Sequence, residues 1–265
     1  VVYGTQPTVF SDREQAVFDE LSETLGYAIY AIKTQQLLLT NEVVELEFDI
    51  TGTDAFFVTV SDELDCSFAL DGIVQTSDGD LVEYVQADKA PPEQILAQAD
   101  RSPAVQQARC ITSHEETSRF EFVFESEMTT SKRLIEYGAA IKAATATNGH
   151  GTLTAEVPAG TELRPIINIV HTARPDATLA AKREHEYTDT APTGFRRTLE
   201  ERLTDRQFEI LQTAYLGGYF ETPRESTGEE LAATLGISGP TFHQHLRVAH
   251  QKLLSSLFAL PEATQ

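Results

Sequence analysis

Thr227-Gly-Glu-Glu-Leu-Ala-Ala-Thr-Leu235, then Gly236-Ile-Ser238, then the run from Gly239 to Phe258 form one continuous stretch of this chain. Leu231 and Leu235 recur with helical spacing in the first part, and Gly236 marks a turn before a longer amphipathic segment. Two helices joined by a short turn that contains glycine are typical of a helix-turn-helix. The stretch therefore predicts a DNA-binding module.

The same module extends towards the N-terminus. Thr204 stands three residues before Gln207, a capping box that predicts the start of a helix, and Gly217-Gly218 predicts its end. Ser226 or Thr227 is expected to cap the next helix.

The long final helix has two distinct faces. A narrow apolar stripe is expected to face the core of the module: Phe242, Leu246, Ala249, Leu253 and Leu257. The opposite face is polar and is expected to face DNA: Pro240, Gln244, Arg247 and Gln251, with Thr241 and His243 at its edges.

Base reading is expected from the N-terminal half of this helix. Gln244 suits adenine and Arg247 suits guanine, because their side chains can form paired hydrogen bonds with those base edges. Ser238 is expected to cap the helix and to donate to a phosphate. Arg206 and Arg224 are further phosphate candidates.

Two other interpretations of the module are possible. It could be a helical hairpin for protein contacts, although a polar face with few carboxylates is unusual in so acidic a chain. His243, His245 and His250 could suggest zinc, but their spacing scatters them around the helix and no cysteine is near. We therefore predict no metal site and no cofactor.

Charge is distributed unevenly along the 265 residues, which carry 41 Asp and Glu against 20 Lys and Arg. Residues 1–195 hold 32 acidic and 13 basic residues, whereas residues 196–258 hold 8 and 7. The excess of acid thus avoids the DNA-binding module. With only six lysines, the composition is typical of proteins that work in concentrated salt, where the Debye length is about 3 Å. An acidic protein of a mesophile is the alternative.

Sequence motifs that would indicate a metalloprotein, a membrane protein or an enzyme are absent. Cys66 and Cys110 lie in apolar surroundings without metal-ligand spacing, so both are predicted to be buried thiols. No signal peptide or long apolar run is present, which predicts a cytoplasmic protein without a membrane partner. No nucleophile elbow, phosphate loop or metalloprotease motif occurs, so no catalytic residue is predicted.

The middle of the chain repeats one order of elements, strand-helix-strand-strand-helix-strand. The first copy spans 42–117 and the second 118–188, with a hairpin turn at Asn148-Gly149 in the second. Phe57-Val-Thr-Val60 is the weakest helical segment, since it also suits a strand. The repeat predicts an α+β fold with two tandem ferredoxin-like units, each hiding one sheet face beneath two helices.

Three domains follow from these patterns: 1–41, 42–192 and 193–265, with a boundary near Thr193. In the first, Ser11 and Glu14 form a capping box, and apolar residues then follow a heptad pattern. A helix of this kind can pair with its own copy, or it can pack within its own domain. The expected dimerisation residues are Phe18, Leu21, Leu25, Ala28, Ile32 and Leu39.

The residues also resemble a known family. Leu203-Thr-Asp-Arg-Gln-Phe208, Thr222-Pro-Arg-Glu-Ser226, Leu235-Gly-Ile-Ser238 and His245-Leu-Arg247 resemble the bacterio-opsin activator type helix-turn-helix of haloarchaeal transcription regulators. Glu45-Leu-Glu-Phe48 and Gly138-Ala-Ala-Ile141 resemble the domain that lies between the GAF and helix-turn-helix modules of those regulators. Phe10-Ser-Asp-Arg-Glu14 resembles the entry to the last helix of a GAF sensor domain. At Gly239-Pro240 the chain departs from the family pattern, which leaves the target sequence open.

The resemblance implies a transcriptional regulator, often an activator, that receives signals from upstream sensor domains. We therefore expect a homodimer that binds double-stranded DNA with sequence specificity. The alternative is a metabolite-sensing protein in which the tandem repeats bind a small molecule and the C-terminal helices contact other proteins. A pocket between the repeats with convergent polar groups would support a sensing role.

Overall fold

A computed structural model describes residues 42–52, 55–76, 79–114, 116–124, 129–186 and 202–258. The expected GAF end, the dimerisation helix of residues 1–41 and the boundary near Thr193 lie outside these residues. The described part before residue 187 is one eight-stranded antiparallel sheet with four helices on one of its faces. The strands are β1 (Glu42–Ile50), β2 (Ser67–Gln75), β3 (Leu81–Asp88), β4 (Val105–His114), β5 (Thr117–Phe124), β6 (Ala140–Thr147), β7 (His150–Pro158) and β8 (Thr178–Glu186).

The four helices of this region alternate with the strands as the repeat predicts. They are α1 (Phe56–Glu63), α2 (Pro92–Ala99), α3 (Thr130–Glu136) and α4 (Leu163–Ala173). Both copies of the six-element order are present, so the predicted α+β class is confirmed. Phe57-Val-Thr-Val60 is helical despite its β-branched residues, because Val58 and Val60 are buried against the sheet.

Strand pairing differs from two separate ferredoxin-like units. The sheet order is β4-β5-β3-β2-β6-β7-β1-β8. A ferredoxin-like unit places its first strand between its third and fourth strands. In the first copy, the position between β3 and β4 is occupied by β5, which is the first strand of the second copy. In the second copy, the position between β7 and β8 is occupied by β1, which is the first strand of the first copy. The two copies have thus exchanged their first strands, and β2 pairs with β6 to join both halves into one sheet.

The helix-covered face of the sheet holds two apolar cores. In β1, Val44, Leu46 and Phe48 are buried, while Glu45 and Glu47 point to the opposite face and remain partly exposed. This is the predicted alternation. The other core lies beneath α1 and α2 and is rich in aromatic rings: Phe56, Phe57, Phe68, Phe120, Phe122 and Phe124.

The hairpin between β6 and β7 turns as predicted. Asn148 and Gly149 both have positive φ, +49° and +76°, a conformation that suits Asn-Gly in a two-residue turn. The amide of Gly149 donates to the hydroxyl of Ser61 at 3.1 Å, so the turn is tied to α1.

Both cysteines are free thiols. Cys66 is buried, as predicted, and burial together with the neighbouring Asp65 raises the pKa of its thiol to about 11. Cys110 is only half-buried, and its thiol donates to the carbonyl of Thr112. A thiol that stays protonated at neutral pH is a poor nucleophile and a poor metal ligand.

Three helices form the C-terminal module: α5 (Asp205–Leu216), α6 (Gly228–Thr234) and α7 (Gly239–Phe258). Their shared core is formed by Ile210, Ala214, Leu231, Ala232, Leu235, Phe242 and Leu246. The module contacts the face of the sheet that the other helices leave uncovered. Across the described ranges, no helix combines the length and apolarity that crossing a membrane requires.

Candidate DNA-binding surface

Capping boxes fix the starts of two of the three helices. The Thr204 hydroxyl accepts from the Gln207 amide, and the Gln207 side chain accepts from the Thr204 amide. Thr227 and Glu230 make the same exchange at the start of α6. The first box was predicted; for α6 only the cap itself was predicted, and of its two candidates the structure selects Thr227. Gly236, with φ of +63°, makes the turn that leads to α7.

The start of α7 is held by the expected residue. The Ser238 hydroxyl accepts from the Thr241 amide at 3.3 Å and lies 2.8 Å from the Thr241 hydroxyl. The Phe242 amide donates to the Ser238 carbonyl. Ser238 remains exposed, so its hydroxyl is accessible from the solvent side of the helix N-terminus.

One side of α7 is buried as the apolar stripe predicts. Phe242, Leu246 and Ala249 are at most 4% exposed, and the first two lie in the core formed with α5 and α6. Leu253 is half-buried. The side chain of Leu257 lies outside the described residues.

The opposite side of α7 is solvent-exposed. Pro240, Gln244, Arg247 and Gln251 are all exposed, and Thr241 is half-buried at the margin. Within the described ranges no hydrogen bond or ion pair holds Gln244 or Arg247, so both side chains can reorient. This surface, which we call the reading face, is the one that the sequence predicts.

His243 lies at the inner edge of the reading face and packs against the module. Its ring centroid is 5.7 Å from that of Phe242 and 6.2 Å from that of Tyr219. It also covers Gly228, where an added Cβ would approach the imidazole within 2.5 Å. The half-buried His243 thus packs over the start of α6.

The two predicted phosphate contacts have different surroundings. Arg206 donates from Nη1 to the Glu209 carboxylate at 2.7 Å and from Nη2 to the Leu235 carbonyl at 3.2 Å. Its guanidinium therefore stabilises the turn before α7 from inside the module. Arg224 is exposed and stacks on the Tyr219 ring with its Cζ 4.6 Å from the centroid.

A network that sequence reasoning missed joins the module to the sheet. Arg109 on β4 donates two hydrogen bonds to Glu121 on β5, which is 1% exposed. The hydroxyls of Thr234 and Tyr84 also donate to Glu121, at 2.6 and 3.0 Å, and Arg109 reaches the Ser226 hydroxyl at 3.1 Å. We call these five residues the docking network. Burial raises the pKa of Tyr84, and the charge and hydrogen bond of the neighbouring Glu121 carboxylate raise it further.

Arg119 makes a second link between sheet and module. Its guanidinium donates to the Glu225 carboxylate at 2.7 Å and to the Leu216 carbonyl at 2.9 Å, while Nε contacts Asp71 at 3.1 Å. Leu216 ends α5, where a cation is favoured by the helix dipole. Neither link uses a residue of α7, so docking leaves the reading face uncovered.

The histidines of α7 do not assemble a metal site. Among the described residues, the potential metal ligands that lie within 4.8 Å of one another are on the sheet: Glu45, Glu156 and His185. Cations already contact both carboxylates of this group, Arg183 at Glu45 and Lys142 at Glu156.

Comparison with known proteins identifies both parts of the chain. Residues 41–197 match the family described as BAT, the GAF and HTH_10 associated domain. Residues 203–255 match HTH_10, described as an HTH DNA binding domain. These two matched ranges agree with the sheet region and the three-helix module.

Curated relatives come from halophilic archaea. A putative transcriptional regulator of Haloferax volcanii is 37% identical over 249 residues, which cover 94% of this chain and 42% of that protein. The bacterioopsin transcriptional activator of Halobacterium salinarum is 32% identical over 250 residues, covering 93% and 36%. The transcriptional regulator NarO of Haloferax volcanii is 49% identical over 57 residues, covering 22% and 27%. The chain thus spans about two-fifths of the length of the first two.

Proposed function

Since this chain belongs to the family defined by the GAF and HTH_10 associated domain, we propose that it is the DNA-binding part of a transcription regulator. The observation that carries the proposal is the reading face of α7. Four exposed polar or small side chains lie opposite a buried apolar stripe, on a helix that the docked sheet leaves open. A helix of this kind fits the major groove of B-DNA.

Within this function, Gln244 and Arg247 read bases. Gln244 pairs with adenine through N6 and N7, and Arg247 pairs with guanine through O6 and N7. Thr241 and Gln251 flank them along the groove, and Pro240 and the half-buried His243 pack against the DNA. Ser238 and Arg224 contact phosphates, whereas Arg206 supports the turn through Glu209 and Leu235.

Base contacts carry most of the affinity. Residues 196–258 hold 7 basic against 8 acidic residues, so the module gains little from counterion release. In concentrated salt, long-range attraction to phosphate is screened as well. The near-neutral module therefore depends on hydrogen bonds to base edges and on the shape of its site.

The proposed assembly is a homodimer that activates transcription. Its helix of residues 18–39 pairs with a second copy through the heptad residues, and two reading faces then meet half-sites about one helical turn apart. We propose activation, rather than repression, because one relative is named the bacterioopsin transcriptional activator. Such a regulator acts in the cytoplasm and has no catalytic role.

Signal relay is proposed to pass through the docking network and through the second link at Arg119. Upstream sensor domains would displace the sheet, and Glu121 and Arg119 would transmit that displacement to α6 and to the end of α5. Because these contacts are hydrogen-bonded and partly buried, they hold one defined orientation of the module.

A band-shift titration in concentrated KCl tests the DNA-binding assignment. Gln244→Ala combined with Arg247→Ala should weaken binding to a promoter fragment at least 10-fold, since each bidentate contact between a side chain and a base contributes about 1–3 kcal/mol of binding free energy. Gln94→Ala combined with Arg164→Ala removes the same side-chain types from exposed positions on the middle domain. This control should bind normally. Equal binding by both double variants would contradict the assignment.

A further inference from the structure

A cavity of about 610 Å³ lies on the helix-covered face of the sheet, where the two copies of the repeat meet. Its walls come from α1, from β2 and β3 of the first copy, and from β6 and β7 of the second. We call it the junction cavity. Cavities of roughly 300–1,000 Å³ that combine apolar walls with a few polar groups are the usual form of small-molecule sites.

The body of the junction cavity is apolar and aromatic. Phe56 and Phe57 from α1 line it together with Phe68 from β2 and Phe124 from β5. Their rings contact one another edge-on or tilted, with Phe57 and Phe68 centroids 5.2 Å apart. These walls suit a compact ring or branched hydrocarbon.

One carboxylate interrupts the apolar wall. Glu83 on β3 is 7% exposed and points to the helix-covered face, the same side as Val85. The Ser131 hydroxyl donates to it, and burial raises the pKa of Glu83 to about 7. No described lysine or arginine forms an ion pair with Glu83. The charged side chains that also line the cavity, Glu63, Arg101 and Arg174, are exposed or half-buried at its margin.

A second polar atom at this cavity has no partner among the described residues. The Thr130 hydroxyl, at the start of α3 beside Ser131, is buried and makes no hydrogen bond to the described residues. Buried hydroxyls are almost always paired, and leaving one unpaired costs about 1–3 kcal/mol. An unpaired hydroxyl and a buried carboxylate without an ion-pair partner, lining the same cavity, are what a site for a donor-bearing ligand requires.

We propose that the junction cavity binds a monocationic amine with a small aromatic or branched apolar body, whose ammonium group donates to the Glu83 carboxylate and the Thr130 hydroxyl. The amine would replace the proton that burial otherwise favours on Glu83, and the body would fill the space between the phenylalanine rings. An anion would be repelled by Glu83, and a neutral molecule of the same shape would leave the carboxylate without its counterion.

The location of the cavity would allow a bound amine to affect the docking of the DNA-binding module. The cavity lies across both copies of the repeat, and β3 carries Glu83 on one face and Tyr84 of the docking network on the other. An amine bound at Glu83 therefore acts on the strand that also supports the module. This proposal concerns the sheet alone and does not depend on the assignment of the reading face.

Probe binding to the full chain in concentrated KCl tests the proposal. Phenethylamine supplies the cation, 2-phenylethanol the neutral body and 3-phenylpropionate the anion. By calorimetric titration, phenethylamine should bind at least 10-fold more tightly than the other two. Glu83→Gln should abolish this preference, and Thr130→Val should weaken phenethylamine binding several-fold. Glu156→Gln removes a buried carboxylate from the opposite face and should leave binding unchanged.

Folding and binding effects can be separated. Thr130→Val removes a hydroxyl that has no partner among the described residues, so the variant should fold and should melt at the same or a higher temperature. Ala144→Leu, which places bulk in the cavity from β6, should block all three probes. Absence of phenethylamine binding at millimolar concentration, equal binding of amine and alcohol, or unchanged binding by Thr130→Val and Glu83→Gln would each overturn the proposal.

Discussion

Arg109 and Glu121 form a bidentate pair, with Nε 2.7 Å from Oε1 and Nη2 2.9 Å from Oε2. The carboxylate is almost fully buried, while the guanidinium keeps about a fifth of its side chain exposed. Thr234, from the helix-turn-helix module, donates to the same carboxylate. One ion pair within the sheet therefore also fixes where the DNA-binding module rests.

Loss of the arginine should be costly. Arg109→Met leaves the Glu121 charge buried with only hydroxyl donors, a change that costs roughly 3–5 kcal/mol of unfolding free energy. Denaturant unfolding in concentrated KCl measures this loss. Arg183→Met is the matched control, since Arg183 pairs with Glu45 and Glu47 on an exposed surface and its removal should have a far smaller effect. Equal losses would show that burial does not decide the strength of the pair.

Glu83 should make stability depend on pH. Its pKa is about 7 in the folded protein against an ordinary value of 4.5, so between these values the folded state holds a proton that the unfolded chain has lost. Unfolding free energy should then fall as pH rises from about 4.5 to about 7, by about 3 kcal/mol at roughly 1.4 kcal/mol per pKa unit. Unfolding at pH 5 and pH 8 should show a decrease that Glu83→Gln lacks. A decrease of the same size in the variant would assign it to other groups.

The capping box of α6 should stabilise the module measurably. Thr227→Ala removes the hydroxyl that accepts from the Glu230 amide, a change that typically costs about 1 kcal/mol. Amide hydrogen exchange over residues 228–234 should accelerate in the variant. Thr178→Ala, at an exposed position that begins β8, is the control and should leave exchange in α6 unchanged.

The dimer prediction is tested by mass in solution. Leu25→Glu combined with Ile32→Glu places charges at heptad positions and should convert a dimer to a monomer in light scattering at high salt. Gln36→Glu adds a charge outside the a and d positions and should preserve the dimer. A monomeric unmodified chain under the same conditions would contradict the proposed coil.

Local structure could be predicted closely from the sequence. Capping residues such as Thr204 with Gln207, the Asn148-Gly149 turn and the two faces of α7 each depend on near neighbours, and the structure confirms them. The exchange of β1 and β5 could not be predicted. Both strands alternate in the same way, and alternation determines which residues face the core but not which strand lies alongside.

The burial of two carboxylates was the other feature that could not be predicted from the sequence. Acidic residues at alternate strand positions normally lie on the solvent-facing side of a sheet. Glu83 and Glu121 are nevertheless buried, one beside a cavity and the other beneath the docked module. Nothing local distinguishes them from Glu45 or Glu47, because their burial depends on what covers each part of the sheet.

Selection of DNA sequences from a random library in concentrated KCl is the most direct test of the central claim, that α7 reads bases through Gln244 and Arg247. The unmodified chain should enrich a motif with guanine and adenine at neighbouring positions of each half-site. Arg247→Ala should lose the preference at the guanine and Gln244→Ala the preference at the adenine, each without loss elsewhere in the motif. If both variants enriched the same motif as the unmodified chain, base reading by Gln244 and Arg247 would be contradicted.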